Sequence, residues 1–341
     1  MRLNGHSAPH IRSSVSNRTV MGDAVVTLGA IYIMTFFYYG ERALVLGLVS
    51  IVTCLICDTL CTWMRRRRTN IMDFSSIVTG MLIPLLMPAT IPYRIVIITC
   101  IFAICVVKQP FGGTGGNVFN PAAGGLAFAI VCWSTEMFAY PMPFSTIPVI
   151  GEITTPLYSS AAYTLYVGGI PRIDPSNMIL GLSPGPMGTT NILVLLACML
   201  YLVLRRTVRI QQPFFMLLAV AGVAWFFPRT SATPLGSVFF ELTAVPTIFF
   251  AAFMFSDPVT TPARGMAKAF YAVASGLVLM AFRYLGGYEF MAPFALLAMN
   301  ALTPVFDMVV EAINTQGRRM AFGTAKLKDE PDFGDEEESE D

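Results

Sequence analysis

Ten apolar segments, separated by polar turns, account for most of the 341 residues of the chain. Their approximate limits are residues 21–39, 43–63, 74–90, 93–107, 123–139, 191–204, 213–227, 238–255, 268–284 and 290–310. A helix that crosses the hydrocarbon core unbroken needs about 20 apolar residues, so the shorter segments require tilt or a break. The pattern predicts an all-α integral membrane protein with about ten transmembrane helices.

Composition supports the same class of protein. Hydrophobic residues make up 55% of the chain and charged residues 13%, against about 25% charged residues in soluble domains. Both histidines, His6 and His10, precede the first apolar segment, so no histidine-based triad, zinc site or haem site is expected inside the membrane. Residues 1–20 lack an apolar h-region, so we expect no cleavable signal peptide. The expected surroundings are membrane lipid, with no nucleic-acid partner.

Basic residues predict the orientation. With both termini in the cytoplasm, the cytoplasmic regions hold 17 of the 22 lysines and arginines, and the other five are Arg42, Arg94, Arg172, Arg229 and Arg283. This asymmetry follows the positive-inside rule. The predicted organisation is a cytoplasmic lead-in (1–20), a first membrane half (21–139), an external loop (140–190), a second membrane half (191–310) and an acidic cytoplasmic tail (311–341). The tail is expected to be disordered because its charges are alike and it has no apolar anchors.

The two membrane halves share spaced motifs. Pro88 and Pro92 close the third segment as Pro258 and Pro262 close the eighth, and a Gly-Gly pair precedes both the fifth and the tenth segments. Each half contains five segments, an odd number, so the second copy must be inserted upside down. The pattern predicts two inverted five-helix repeats, although such short motifs also recur by chance.

The stretch 111–127, FGGTGGNVFNPAAGGLA, is the strongest candidate for a functional segment. Irregular backbone at membrane depth persists only where protein buries it or where it lines a polar cavity. Its candidate residues are Gly112, Gly113, Gly115, Gly116, Asn117 and Asn120. The alternative is that these small residues serve the packing of the flanking helices.

Carboxylates within or near the apolar segments are the candidates for an ion pathway, because each is costly in lipid. They are Asp58, Glu241, Asp257, Asp307 and Glu311, and we assign the pathway to Asp58 and Asp257. For Asp58 the alternative is an ion pair with Arg65, two turns further on. For Asp257 the favoured alternative is a cap on the N–H groups of a helix start.

All seven cysteines fall inside apolar segments, and Cys54, Cys57 and Cys61 share one helix face. An iron–sulfur site is one interpretation of this spacing. The favoured one is that these are small, polarizable packing residues.

Five motifs, in order, identify a family. They are SAPHIRS (7–13), DFSSIVTGMLIPLLMP (73–88), KQPFGGTGGNVFNPAAGGLAF (108–128), FMFSDPVTTP (253–262) and FRYLGGYEFMAPFALLAMN (282–300). The chain resembles the family that contains the D subunit of Rnf complexes and the B subunit of the sodium-translocating NADH:quinone oxidoreductase. The resemblance implies a ten-helix subunit of a redox-driven Na⁺ or H⁺ pump in a prokaryotic cytoplasmic membrane. It also implies Rnf subunits of the A, B, C, E and G types as partners, and through them ferredoxin and NAD.

The resemblance further implies FMN esterified to a threonine of the external loop. Thr155, directly before Pro156 and Leu157, is the best match to the attachment motif, and Thr154 is the fallback. The match is imperfect, because Val149 stands where the family has Asp and the glutamate of a later family motif is missing from residues 185–191. A second, non-covalent flavin, riboflavin or FMN, is also implied, with the glycine loop, Asn117, Asn120 and the turn 257–262 as its candidate lining.

Three functions remain open on the sequence alone. The favoured one is a flavin-carrying subunit that relays electrons through the membrane domain and couples them to ion translocation. A channel or secondary transporter without redox function would show the same inverted repeats and polar loop. The third is a structural subunit that has lost its flavin.

Overall fold

The computed structural model describes residues 17–65, 74–113, 115–229, 233–262 and 265–328. The first half contains α1 (Asn17–Tyr39), α2 (Glu41–Met64), α3 (Ser75–Leu85), α4 (Tyr93–Phe102), a first π-helix (Ala103–Lys108), α5 (Pro121–Cys132) and α6 (Ser134–Met137). The loop 140–190, predicted to be external, contains the strands β1 (Tyr140–Pro141) and β2 (Leu157–Tyr158), followed by α7 (Ala161–Tyr166) and α8 (Pro175–Leu180).

The second half is also helical. It contains α9 (Ile192–Leu204), α10 (Gln211–Phe226), α11 (Pro234–Thr243), α12 (Thr247–Phe249), a second π-helix (Phe250–Met254), α13 (Gly265–Leu285) and α14 (Ala292–Lys328). The two short strands pair antiparallel, with Tyr140 opposite Tyr158. The prediction of a helical membrane protein is therefore confirmed, with this one small sheet in the loop.

Among the described residues, four helices are long and apolar enough to cross a membrane on their own: α1, α2, α13 and residues 292–313 of α14. The eighth apolar segment is broken, because α11 and the α12–π-helix unit meet at an angle of 62°. As one span, this bent pair makes a fifth. Helices α3, α5, α9 and α10 are apolar but shorter, between 10 and 17 residues. Each of the ten predicted apolar segments thus contains helix.

The short helices start where the sequence provides caps. Asn120 accepts a hydrogen bond from Ala123 N–H at the start of α5, Asn191 accepts one from Val194 N–H at the start of α9, and Thr233 caps α11. Proline occupies the first position of α5 and α11, where no backbone N–H is needed. Cap side chains followed by an apolar run therefore fix these boundaries.

The predicted tail boundary needs a correction. Helix α14 continues from Ala292 to Lys328, so residues 311–328, which were assigned to a disordered tail, are helical. The strong charge of the final residues hid the helical run before them. The remaining tail, 329–341, and most of the lead-in, 1–16, lie outside the described residues. Helix α1 begins at Asn17, slightly before the predicted segment.

Small residues bring helices close together, as is common within membranes. A Cβ added at Gly80 of α3 would lie 2.8 Å from the Ile51 Cα of α2, and one added at Gly276 of α13 would lie 2.6 Å from the Met216 carbonyl oxygen of α10. Each close approach joins two helices of the same half.

The two halves meet through matching helices. Helix α1 contacts α9, so the first helices of the two halves face one another. Helix α5 contacts α14, so helices close to the ends of the two halves also face one another. Asp23 of α1 pairs with Arg205 at 3.2 Å and accepts a hydrogen bond of 2.6 Å from the Thr207 hydroxyl, both just after α9. Within each half, α2 contacts α3 and α4, as α10 contacts α11 and α13.

Candidate functional site

A hydrogen bond between Asn120 and Asp257 joins the polar turns of the two halves. Asn120 Nδ2 donates to Asp257 Oδ2 at 3.3 Å, while Asn120 Oδ1 caps α5. The other oxygen of Asp257 accepts the Val259 N–H at 3.1 Å, and Thr260 Oγ1 lies 3.4 Å from Oδ2. Asp257 thus makes the backbone hydrogen bond expected of a capping residue, although it lies in a turn rather than at a helix start.

A small cavity lies beside this contact, with a volume of about 60 Å³. Its polar lining includes Asn117, Asn120, Ser256, Asp257 and Thr207, and its apolar lining comes from α1, α3 and the second π-helix. The volume suits a few water molecules or a small ion. It is well below the roughly 300–1,000 Å³ of pockets that hold drug-sized ligands, so a flavin ring does not fit it.

The glycines of the 111–116 stretch do not line this cavity. Gly112, Gly113 and Gly115 have φ angles of 117°, 83° and 86°, in the left-handed region that favours glycine. Gly113 N–H bonds back to the Lys108 carbonyl, and Gly116 N–H bonds to the Gly113 carbonyl at 3.0 Å. These glycines therefore form a tight turn that ends the first π-helix and precedes α5.

Asp58 belongs to a different polar cluster, between α2 and the first π-helix. Its Oδ1 accepts a hydrogen bond of 2.6 Å from Gln109 Nε2 and lies 3.4 Å from Lys108 Nζ. Lys108 is 1% exposed and also donates to Ser76 Oγ at 2.7 Å. The prediction that Asp58 pairs with Arg65 is wrong in its partner, because Arg65 donates instead to the Gln109 carbonyl and side chain. Sequence separation hid this contact, since Asp58 and Gln109 are 51 residues apart.

The two threonines of the candidate flavin site lie in the loop 140–190, and Thr154 is close to the C-terminal end of α1. Thr154 is exposed and lines an open recess of about 640 Å³ together with five aromatic residues, Phe36, Phe37, Tyr38, Tyr39 and Phe144. Thr155 is partly exposed, and its hydroxyl donates to the carbonyl of Thr146, which also lines the recess, at 3.2 Å. Thr154 thus lines a recess large enough for an aromatic ring system, and Thr155 contacts Thr146, another residue that lines it.

Arg42, at the start of α2, fixes the loop that approaches this recess. Its guanidinium is buried and donates to the carbonyls of Ala89, Ile91 and Pro148 at 2.8, 3.1 and 2.8 Å. Tyr93, whose ring lies 4.9 Å from the guanidinium carbon, donates to the Val149 carbonyl at 2.8 Å. Arg42 is one of the five basic residues outside the predicted cytoplasmic regions. Its side chain is bound to backbone oxygens rather than exposed to water, which explains this exception.

A second buried cluster connects the loop to the other half. Arg283 of α13 and Glu241 of α11 form an ion pair of 2.7 Å in which both side chains are at most 2% exposed. Nearby, Glu289 in the turn between α13 and α14 accepts a hydrogen bond of 3.1 Å from the Ser160 hydroxyl of the loop. Burial raises the pKa of the Glu289 carboxyl to about 7, against the lowering effects of Ser160, Tyr140 and Arg283.

Sequence reasoning missed Glu289 and Arg283 as members of a site. The motif around 282–300 contributed to the resemblance, but the partner of Glu289 lies 129 residues earlier in the chain. The Gly286-Gly287 pair marked a turn and gave no indication of a buried carboxylate beside it.

The iron–sulfur interpretation of the cysteines is not supported. Within the described residues, no group of three or more His, Cys, Asp or Glu side chains is placed to hold a metal ion. The packing interpretation stands for Cys198, whose thiol donates to the Thr27 carbonyl at 3.6 Å.

Comparison with known proteins identifies relatives over nearly the whole chain. The model of the NQR2, RnfD, RnfE family matches residues 4–316. The chain is 28% identical over 320 residues to the D subunit of the proton-translocating ferredoxin:NAD(+) oxidoreductase complex of Clostridium ljungdahlii, covering 92% of this chain and 96% of that protein. It is 25% identical over 332 residues to the D subunit of the Na(+)-translocating ferredoxin:NAD(+) oxidoreductase complex of Acetobacterium woodii, covering 97% and 98%. The D subunit of the ion-translocating oxidoreductase complex of Halorhodospira halophila is 27% identical over 328 residues, covering 88% and 92%.

Proposed function

The chain belongs to the NQR2, RnfD, RnfE family, and we propose that it is the D-type membrane subunit of a redox-driven ion pump of the ferredoxin:NAD oxidoreductase type. The observation that carries this function is the end-to-end similarity to D subunits of ion-translocating complexes, whose own lengths are covered by 96% and 98% in two cases. Its partners are then the other subunits of an Rnf complex, of the A, B, C, E and G types, and through them ferredoxin and NAD.

The proposed architecture is ten membrane-embedded helical segments in two inverted repeats. Matching helix contacts support this architecture. Between the halves, α1 contacts α9 and α5 contacts α14; within the halves, α2 contacts α3 and α4, as α10 contacts α11 and α13. We place both termini in the cytoplasm of a prokaryotic cell, on the positive-inside rule. Arg42 and Arg283, two exceptions to that rule, are occupied in buried hydrogen bonds and an ion pair.

We propose that Thr155 carries FMN through a phosphoester, with Thr154 as the alternative acceptor. The aromatic recess beside the two threonines supports a planar ring there, since aromatic faces favour stacking. FMN, when bound, would supply the exchange between one- and two-electron carriers. The chain itself would contribute the acceptor hydroxyl, the aromatic walls and the backbone anchors made by Arg42.

The turn of Asn120 and Asp257 is the proposed ion site. It holds a half-buried carboxylate, an amide and hydroxyl groups around a cavity of about 60 Å³ at the junction of the halves, where inverted-repeat proteins bind their ions. The non-covalent flavin that the resemblance implies does not fit this cavity, so no step is assigned to it. Asp58 is less suited to an ion site, because Lys108 and Gln109 already bind its carboxylate.

The proposed function is tested in inverted membrane vesicles that contain the complete complex. Addition of reduced ferredoxin and NAD⁺ should drive uptake of Na⁺ or acidification of the lumen, and deletion of this subunit should abolish both electron transfer and transport. A channel or secondary transporter, the competing function, would move ions down an imposed gradient without ferredoxin and NAD⁺. Transport that persists unchanged without electron donor would contradict the proposal.

A further inference from the structure

Five of the seven cysteines gather along one interface, between α2 and the α4–π-helix unit. Cys54, Cys57 and Cys61 follow each other at helical spacing on α2, and Cys100 and Cys105 lie opposite them on α4 and the first π-helix. The Sγ atoms of Cys61 and Cys105 are 3.7 Å apart. Both residues are partly exposed, and neither belongs to a described group that could hold a metal.

Packing explains the thiols of Cys100 and Cys198 better than it explains this pair. Cys100 Sγ lies 3.0 Å from Ser50 Oγ, and Cys198 donates to a backbone carbonyl, so both have oxygen partners in a buried setting. Cys105 has two thiol neighbours, Cys61 and Cys57, and its contact with Cys61 at 3.7 Å makes that the assigned pair. The two Sγ atoms are at the contact distance of two thiols. To form an S–S bond of about 2.05 Å, the side chains must adjust and the two neighbouring helices must shift slightly.

We propose that Cys61 and Cys105 are a reversible dithiol–disulfide site that takes a small-molecule disulfide as its oxidant. The thiolate of Cys61, one turn from the end of α2, attacks one sulfur of the oxidant and releases the first small thiol. The thiolate of Cys105 then attacks Cys61 Sγ and releases the second. Two protein thiols are oxidised to one disulfide, and one small disulfide is reduced to two thiols that carry away the two protons.

A bond between Cys61 and Cys105 would affect the neighbouring Asp58 cluster. Asp58 lies between Cys57 and Cys61 on α2, and Lys108 and Gln109, which bind its carboxylate, follow closely after Cys105. A disulfide would therefore fix α2 to the π-helix at the Asp58 cluster and limit movement of the glycine turn that follows Gln109. This effect on transport rests on the proposed function, whereas formation of the bond does not.

Bond formation is tested on the purified complete complex with 4,4′-dithiodipyridine as the oxidant. After quenching with an alkylating reagent, trypsin separates the two cysteines, because Arg65 follows Cys61 and Lys108 follows Cys105. The expected result is a linked peptide pair, with fragment ions that place the bond between Cys61 and Cys105, and loss of the link on reduction. Separately alkylated Cys61 and Cys105 after oxidation would overturn the proposal.

Variants decide which thiols react. Cys61→Ser should lose the link, while Cys57→Ser and Cys54→Ser should keep it, and Cys132→Ser provides a control at an exposed position elsewhere. A link that survives in Cys61→Ser through Cys57 would also overturn the assignment.

A transport measurement then tests the consequence. Oxidation should lower ferredoxin-driven ion transport by the wild-type complex, reduction should restore it, and Cys61→Ser should lose this response while remaining active. A disulfide that forms without any change in transport would overturn the regulatory effect but leave the site itself established. A complex with no ferredoxin-driven transport in either redox state would count against the proposed function instead.

Discussion

The Asn120 side chain, at the start of α5, donates a hydrogen bond of 3.3 Å to Asp257 in the second half of the chain. Across 137 residues of sequence, this contact brings together the two turns that interrupt the apolar segments. It places a carboxylate beside a cavity of about 60 Å³ and gives Asn120 a second task besides capping α5. The junction of the halves is therefore both a structural joint and the proposed ion site.

Asp257→Asn should leave the fold in place and abolish ion-coupled transport. An amide oxygen can still accept the Val259 N–H, but the negative charge that attracts a cation is gone. The measurement is Na⁺ or H⁺ uptake by vesicles carrying the assembled complex, together with the amount of complex recovered. Asp174→Asn is the matched control, because Asp174 is exposed and its side chain does not cap α8. Normal uptake by Asp257→Asn would remove Asp257 from the pathway.

Asn120→Ala should be less stable by about 1 kcal/mol for the lost cap of α5, with a further cost from the unpaired Asp257 oxygen. Thermal unfolding of the purified subunit in detergent measures this change. Asn120→Ser, which keeps a capping oxygen, should recover most of the cap contribution. Equal unfolding temperatures for wild type and Asn120→Ala would contradict the assigned cap.

Arg283→Ala and Glu241→Ala should each destabilise the subunit by about 3–5 kcal/mol, because each leaves one buried charge without its partner. Replacement of both by Met and Leu should cost much less than either single change, since no buried charge then remains. A double-mutant cycle in detergent checks the coupling. Additive effects of the two single changes would show that the 2.7 Å contact contributes nothing specific.

Glu289 should make the attachment of the external loop depend on pH. It lies outside the helices long enough to cross a membrane, between Leu285 and Ala292. Its pKa is raised from 4.5 to about 7 by burial, so the folded state binds the proton more tightly than the unfolded state. Protonation of Glu289 therefore stabilises the folded loop. This stabilisation is fully present below pH 4.5 and is lost as the pH rises through about 7.

The magnitude of this effect is on the order of 3 kcal/mol at most, at about 1.4 kcal/mol for each pH unit between the two pKa values. Unfolding of the loop, followed by hydrogen exchange of residues 158–166 between about pH 4.5 and 8, is the measurement. Glu289→Gln should keep the hydrogen bond from Ser160 and remove this pH dependence. A pH profile that is the same in both proteins would place the titration elsewhere.

Arg42→Ala should release the external loop. The guanidinium binds four carbonyl oxygens, including those of Pro148 and Val149, and hydrogen bonds to a charged group contribute about 1.5–3 kcal/mol each. Protease should therefore cut residues 142–156 many times faster in the variant. Arg94→Ala is the control, since Arg94 is exposed at the start of α4. Lysine at position 42 should restore protection only in part, because it lacks the planar fork that reaches several acceptors.

Local signals in the sequence predicted the elements well. The apolar segments all contain helix. The structure adds that Asn120, Asn191 and Pro234 stand at helix starts, where capping and proline chemistry act within a few residues. The same local logic failed at the end of α14, where like charges were interpreted as disorder although the helix continues to Lys328.

The partners of buried polar side chains could not be predicted in this way. Lys108 was assigned to a cytoplasmic loop, yet it is buried against Asp58 and Ser76. The Asp58–Lys108 and Ser160–Glu289 contacts depend on how segments that are distant in sequence pack together. Hydrophobic periodicity reports only on each segment by itself, so it does not predict these contacts. The glycines at 112, 113 and 115 have positive φ angles in a turn, and they do not line the cavity of about 60 Å³ beside Asp257.

Mass spectrometry of the loop peptide that contains Thr155, taken from the complex purified from its own membrane, tests the central claim most directly. A single FMN phosphoester on Thr155, absent in Thr155→Val and retained in Thr154→Val, is the predicted result. An unmodified peptide, with no flavin fluorescence from the denatured protein, would contradict the account of a flavin-carrying redox subunit.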